Sequence, residues 1–172
     1  TLSNNMGTPQ TATLTSSMGK LGALVALRDT TIPSYQSQLD SIANALATQT
    51  NAQNAAGYAL DGSTGNAFFS GTTAATIAVV ATSTQIAASA TAAGVPGDNA
   101  NALALADIQN QAQASLGGAT INGAYAQLET TIGSDSQSAQ RAVSNANVLV
   151  DSLTNRRDSV SGVSLDEEMT NL

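Results

Sequence analysis

The sequence predicts a mainly α protein: an elongated helical bundle, or antiparallel coiled-coil-like rod, carrying a small β element. Two long stretches lead to this. In 32–46, larger apolar residues recur at steps of three and four as Ile32, Tyr35, Leu39, Ile42 and Leu46. In 121–160 the same spacing runs through Ile121, Tyr125, Leu128 and Ile132, resumes at Ala139, Ala142, Ala146, Leu149 and Leu153, and ends at Val160. Such spacing lays one apolar stripe along a helix and asks for a second helix against it. Composition is the third observation. Of 172 residues, 42% are hydrophobic but only 3% are aromatic, so the core is built from small aliphatic side chains.

The elements follow in order. Residues 1–18 are polar, with Gly7 and Pro9 as breakers and a weak strand-like alternation at Ala12 to Thr15. They read as a linker or the tail of a preceding β domain. A helical domain is expected over 19–163. Its first helix carries Leu21, Leu24, Val25 and Leu27 up to Arg28 and Asp29. Pro33 implies a kink or a short break, with Thr30 or Thr31 capping a new start. The helix over 33–56 would be roughly 36 Å long, with Gly57 as its stop.

A loop and short strands occupy 58–96. Asp61-Gly62-Ser63-Thr64-Gly65 has turn composition, and Phe68-Phe69 is expected to fill a gap between helices. The β-branched run 76–80 is a strand; 84–89 either pairs beside it or turns. Residues 93–97 form a turn, after which Asp98 caps a helix over 99–113 with Leu103, Ala106 and Leu105 or Ile108 inward. Gly117 and Gly118 end it, and Thr120 caps the long final helix. Gly133 lies inside that helix and either bends or divides it. A break is expected at 161–163. Ser164 and Glu167 then form a capping box that opens another helix over 164–172.

Chemistry-bearing motifs are scarce. The chain has no His and no Cys, which removes the commonest general base, thiolate chemistry and disulfides. No catalytic, cofactor-binding or metal site is assigned. Asp61 lacks the further oxygen ligands a Ca²⁺ loop needs. The acidic run 166–168 is explained by capping. Net charge is -7 with five basic residues, too few for a phosphate-tracking stripe, so nucleic acid and anionic membranes are not expected partners. No 18-residue apolar run is present. Charged residues make up 10%, against about 25% in typical soluble domains. A surface with so little charge to desolvate suits broad packing contacts. The residues expected to pack the helix seams are Ile32, Tyr35, Leu39, Ile42, Leu46, Leu128, Ile132, Leu149 and Leu153, with Arg156 and Arg157 as an interface pair.

Several stretches together resemble one family. SGVSLDEEMTNL (161–172) is similar to the segment opening the C-terminal helix of flagellar axial proteins. GKLGALVALRDTTIPSYQSQLDSIANALA (19–47), NAQNAAGYALDGSTGNAFFSG (51–71), GDNANALALADI (97–108) and the run 125–168 resemble, in order, the hook-associated junction family. Many relatives have His where this chain has Asn54. The resemblance implies an extracellular structural protein, exported through the flagellar secretion apparatus and joining hook to filament, with no catalysis and no cofactor. Its implied partners are the hook protein, the neighbouring hook-associated junction protein and copies of itself. Export-chaperone contacts would lie in a segment absent here, and the isolated chain would be monomeric. The alternative reading is a secreted adhesin or surface binding module using 58–90. A carboxylate hydrolase hosted on Asp61 or Asp98 is a remote third.

Overall fold

A computed structural model of the chain describes Leu2–Ser3, Pro9–Gln10 and Gly19–Ser161. The chain is mainly helical with a small β element, as the periodicity predicts. It divides into two units, Thr1–Leu128 and Glu129–Leu172.

In the first unit, β1 (Leu2–Ser3) pairs antiparallel with β2 (Pro9–Gln10). Helix α1 (Gly19–Ala26) runs without a break through a π-helical turn, Leu27–Thr31, into α2 (Ile32–Ala56). The turn is closed by the Ile32 N–H donating to the Leu27 carbonyl, five residues back. Pro33 explains its position. Proline cannot donate to the carbonyl four residues earlier, and its ring collides with that carbonyl; a π-turn widens the backbone there. Thr31 is itself helical and neither it nor Thr30 caps anything, so the expected kink or break is replaced by a local change of helical pitch.

α2 is the centre of this unit. Its Ala43, Ala45 and Ala47 are all buried. Positions 43 and 45 lie about 200° apart on a helix, so the chain wraps α2 on two sides. The core is completed by Ala59, Ala87, Ile108 and Leu128. It is as thin as the scarcity of aromatics implies.

Among the described residues, two further antiparallel ribbons lie beyond α2. β3 (Tyr58–Ala59) pairs with β6 (Ala87–Ser89), and β4 (Phe69–Ser70) pairs with β5 (Ala78–Val79). The segment 84–89 therefore pairs with the residues just after α2, not beside the 76–80 strand. Phe68 and Phe69 pack on each other at 4.9 Å between ring centroids.

The Val95–Pro96 peptide is cis. Helix α3 is shorter than expected, Ala100–Asp107, and is followed by 3₁₀ turns at Ile108–Asn110 and Ala114–Leu116. Leu103 is exposed and so is Ala106; the buried positions are Asn101 and Ile108. Gly117 ends the second turn in the left-handed conformation that favours glycine. α4 (Ile121–Ser161) starts as predicted: the Thr120 hydroxyl accepts from the Gly123 N–H at 3.0 Å.

The second unit is described up to Ser161 and consists of the continuing α4. The helix passes through Gly133 undivided. A Cβ at Gly133 would meet nothing within 4 Å. The expected break at 161–163 and the capping box of Ser164 and Glu167 lie outside the described residues.

Candidate interaction surface

The β ribbons are held on α2 by side-chain amides. Asn54 is completely buried. Its Nδ2 donates to the Asn66 and Gln85 carbonyls at 2.9 and 3.3 Å, and its Oδ1 accepts from the Ala87 N–H at 2.9 Å. One turn earlier, Asn51 Oδ1 accepts from the Phe68 and Phe69 N–H groups while its Nδ2 donates to the Phe69 carbonyl. Asn101 on α3 completes the set. Its Nδ2 donates to the Ala87 carbonyl at 2.6 Å and the Gln53 carbonyl at 3.2 Å, and its Oδ1 accepts from Gln53 Nε2 at 2.6 Å. Among the described residues, no buried side-chain polar atom lacks a partner.

Sequence reasoning missed this network. A signal was present: Asn51, Gln53 and Asn54 crowd the last turns of a helix, where Asn competes with the backbone for hydrogen bonds and is a weak helix former. Gly57 stops α2 as predicted, but with extended backbone (φ -95°, ψ -176°) and not in a left-handed cap. It is glycine because a Cβ there would lie 2.2 Å from Asn101 Nδ2 and 2.9 Å from the Ser89 carbonyl oxygen.

Asp98 fastens the far side of the β element. Its Oδ1 accepts from the Ala100 N–H at 3.0 Å. Its Oδ2 accepts from the Ala90 N–H at 2.8 Å and the Ser89 hydroxyl at 2.9 Å. These bonds, that from Ala100 first, hold its carboxyl below the usual carboxylate range. A lowered folded-state value means the stabilisation is complete above the unfolded carboxylate value of about 3.9 and is lost as pH falls through the folded value. The protection of the Ala90 and Ala100 amides, taken relative to their intrinsic exchange rates, should therefore fall as pH drops below the unfolded carboxylate value. Asp98→Asn should show the lower protection already at neutral pH. Asp61 is likewise held low, chiefly by the Ser63 hydroxyl and then the Ser63 N–H. It closes a surface turn.

Several concavities occur among the described residues of this unit. One of about 290 Å³ is lined by Tyr58, Leu60, Ile86, Val95 and Pro96, with Ser89 and Asp98 at its edge. Another of about 520 Å³ is lined by Leu46, Thr50, Leu105, Ile108 and Ile121. The first contains one carboxylate and the second none. Among the described residues no cluster of three His, Cys, Asp or Glu could hold a metal ion. No helix there is long and apolar enough to cross a membrane.

What the helices do offer is exposed aliphatic surface. Of the predicted seam residues in the first unit, Leu128 is buried, Tyr35, Ile42 and Leu46 are half-buried, and Ile32 and Leu39 are exposed. Leu21, Leu24 and Leu27 extend the exposed set along α1 and the π-turn. In the second unit Ile132, Val143, Leu149, Val150 and Leu153 are all exposed, Leu149 at 60% and Leu153 at 56%. Arg156 and Arg157 are exposed as well, and Arg157 pairs with Asp158 at 2.9 Å.

The comparisons with known proteins bear on this surface. The family model for the flagellar hook-associated protein FlgK helical domain matches residues 1–69. Flagellar hook-associated protein 1 of Escherichia coli (strain K12) is 37% identical over 75 residues, which cover 44% of this chain and 14% of that protein. The chain thus spans a small part of the curated relative it matches. No solved structure matches. The matched span takes in α1, the π-turn, α2 and the amide-anchored start of the β element, and over that span the chain is similar to the FlgK helical domain.

Proposed function

We propose that this chain is a structural part of the bacterial flagellum, acting within a hook-associated junction protein that joins hook to filament and performs no catalysis. The observation that carries the reading is the match to the FlgK helical domain over 1–69, on a chain whose helices expose long aliphatic faces. In this reading 19–163 form the helical domain, 1–18 lead into it and 164–172 open the next helix. The partners are the hook protein, the neighbouring hook-associated junction protein and further copies of itself, with an export chaperone engaged through a segment outside this chain. The protein is exported through the flagellar secretion apparatus and works outside the cell. Low charge and aliphatic stripes favour lateral packing, since little charge must be desolvated when helices meet.

The test is complementation. A strain lacking its junction protein should regain filaments when this chain is supplied in its full-length context. No recovery would remove the junction reading. The double substitution Leu149→Asp/Leu153→Asp should cut the filamented fraction at least tenfold while leaving the first unit folded. Both side chains are exposed in α4, so the loss would report assembly. Normal filaments would show that this seam makes no subunit contact.

A further inference from the structure

We propose that Asn122–Gly123, at the start of α4, is a self-modifying site: Asn122 deamidates, and the Thr120 cap sets the rate. Asn122 is the one asparagine of the chain followed by glycine, and every other is followed by a residue with a side chain. The attacking group is the next residue's backbone nitrogen, and a Cβ beside that nitrogen hinders its approach. In the reaction the Gly123 nitrogen gives its proton to hydroxide and bonds to Asn122 Cγ. Ammonia leaves, and a five-membered succinimide remains. Water then opens either of its two carbonyls, giving aspartate or isoaspartate. Water is consumed, ammonia is released, and no other reactant takes part.

The fold opposes the reaction while α4 stays closed. Asn122 is exposed and lies in the first turn of the helix. Ring closure needs a backbone torsion at Asn122 that a helix does not have. The Gly123 N–H is one of the first helix donors, which have no partner in a preceding turn. It donates instead to the Thr120 hydroxyl at 3.0 Å, while the Ala124 N–H donates to the Thr120 carbonyl at 2.9 Å. The first turn must therefore open before Asn122 can react, and Thr120 holds it shut. Asp61–Gly62 has the same spacing and is a poorer site. Its carboxylate is ionised at neutral pH and has no ammonia to lose. The Gly62 N–H is also held, by the Ala59 carbonyl at 2.9 Å.

The two products act differently on the helix. Aspartate at 122 puts a negative charge into a first turn that has none, where a helix N-terminus favours it. Isoaspartate adds a carbon to the main chain and breaks the helical repeat. Ile121, which lines the larger concavity with Leu46, Leu105 and Ile108, is released as the turn unwinds. The site thus converts elapsed time into a loosening of α4 from α2. It needs no partner and does not depend on a flagellar role.

The test is peptide mapping by mass spectrometry of the full chain aged in mildly alkaline buffer, with an isoaspartyl methyltransferase assay to count the isomer. Asn122 should convert faster than any other asparagine within α2, α3 or α4. Thr120→Ala should speed the conversion about fivefold, the gain in open turn expected when a cap is lost. Thr120→Ser keeps the hydroxyl and should stay within about twofold of wild type. Gly123→Ala should slow conversion about tenfold or more. In urea, wild type and both Thr120 variants should convert at one rate, which assigns their difference to the folded helix. Asn122→Asp should melt at or above wild type. Thr120→Ser and Gly123→Ala keep the test decisive should Thr120→Ala fail to fold. A faster asparagine within those helices would overturn the proposal, and so would equal rates for folded Thr120→Ala and wild type.

Discussion

Asn54→Ala is expected to destabilise the first unit by roughly 2–5 kcal/mol. The side chain satisfies the Asn66 and Gln85 carbonyls and the Ala87 N–H, all without access to water at Asn54 itself. Alanine removes those partners together and leaves a cavity, and an orphaned buried group costs about 1–3 kcal/mol. Urea unfolding followed by circular dichroism measures the loss, and hydrogen exchange at Ala87 locates it. Asn44→Ala is the control. Asn44 is exposed on the same helix, and its replacement should fall within about 0.5 kcal/mol. Equal midpoints for the two variants would show that the amide network does not hold the ribbons to α2.

Gly57→Ala should be nearly as damaging, at roughly 2–4 kcal/mol. The added methyl falls on Asn101 Nδ2 and Cγ, at 2.2 and 2.5 Å. Asn101 cannot step aside without releasing Gln53 and Ala87. The Ser89 carbonyl at 2.9 Å blocks the remaining direction. Gly133→Ala makes the opposite change: it lies in open helix, with nothing near a new Cβ, and should stabilise α4 by about 1 kcal/mol. Thermal melts of the two variants should move apart in sign. A Gly57→Ala protein that melts with wild type would mean that β3 and α3 can separate freely.

The helices were legible because their evidence is repetitive. Ile32 to Leu46, and Leu128 to Val160, state the same spacing several times, and Thr120 announced its helix with a single hydroxyl. The β element was less legible. Its strands are two or three residues long, too short for alternation to accumulate. Their pairing is fixed by Asn51, Asn54 and Asn101 reaching across from helices, a long-range fact that local pattern does not encode. Leu103 and Ala106 mislead for a related reason: the apolar pattern places them inward on α3, yet both are exposed and the inward positions are Asn101 and, just past the helix, Ile108. The seam residues are picked out by type and spacing alone, and those on the distal part of α4, Ile132, Leu149 and Leu153, are all exposed. Their spacing describes a face, and the face can be satisfied by a helix from elsewhere.

The π-turn at Leu27–Thr31 has one more consequence, which concerns angular phase. Along the sequence, Leu21, Val25, Arg28, Ile32, Tyr35, Leu39, Ile42 and Leu46 keep an unbroken three-four rhythm. A strict α-helix would aim Arg28 along the same line as those aliphatic neighbours. The inward line instead passes through Gly22, Ala26, Thr31, Tyr35 and Ile42, with a step of five where the π-turn lies. The extra residue offsets the azimuth of α1 by roughly 100° relative to α2. The guanidinium of Arg28 stays in solvent beside Asp29. One uninterrupted helix thereby presents the leucines of α1 and the stripe of α2 along two different bearings.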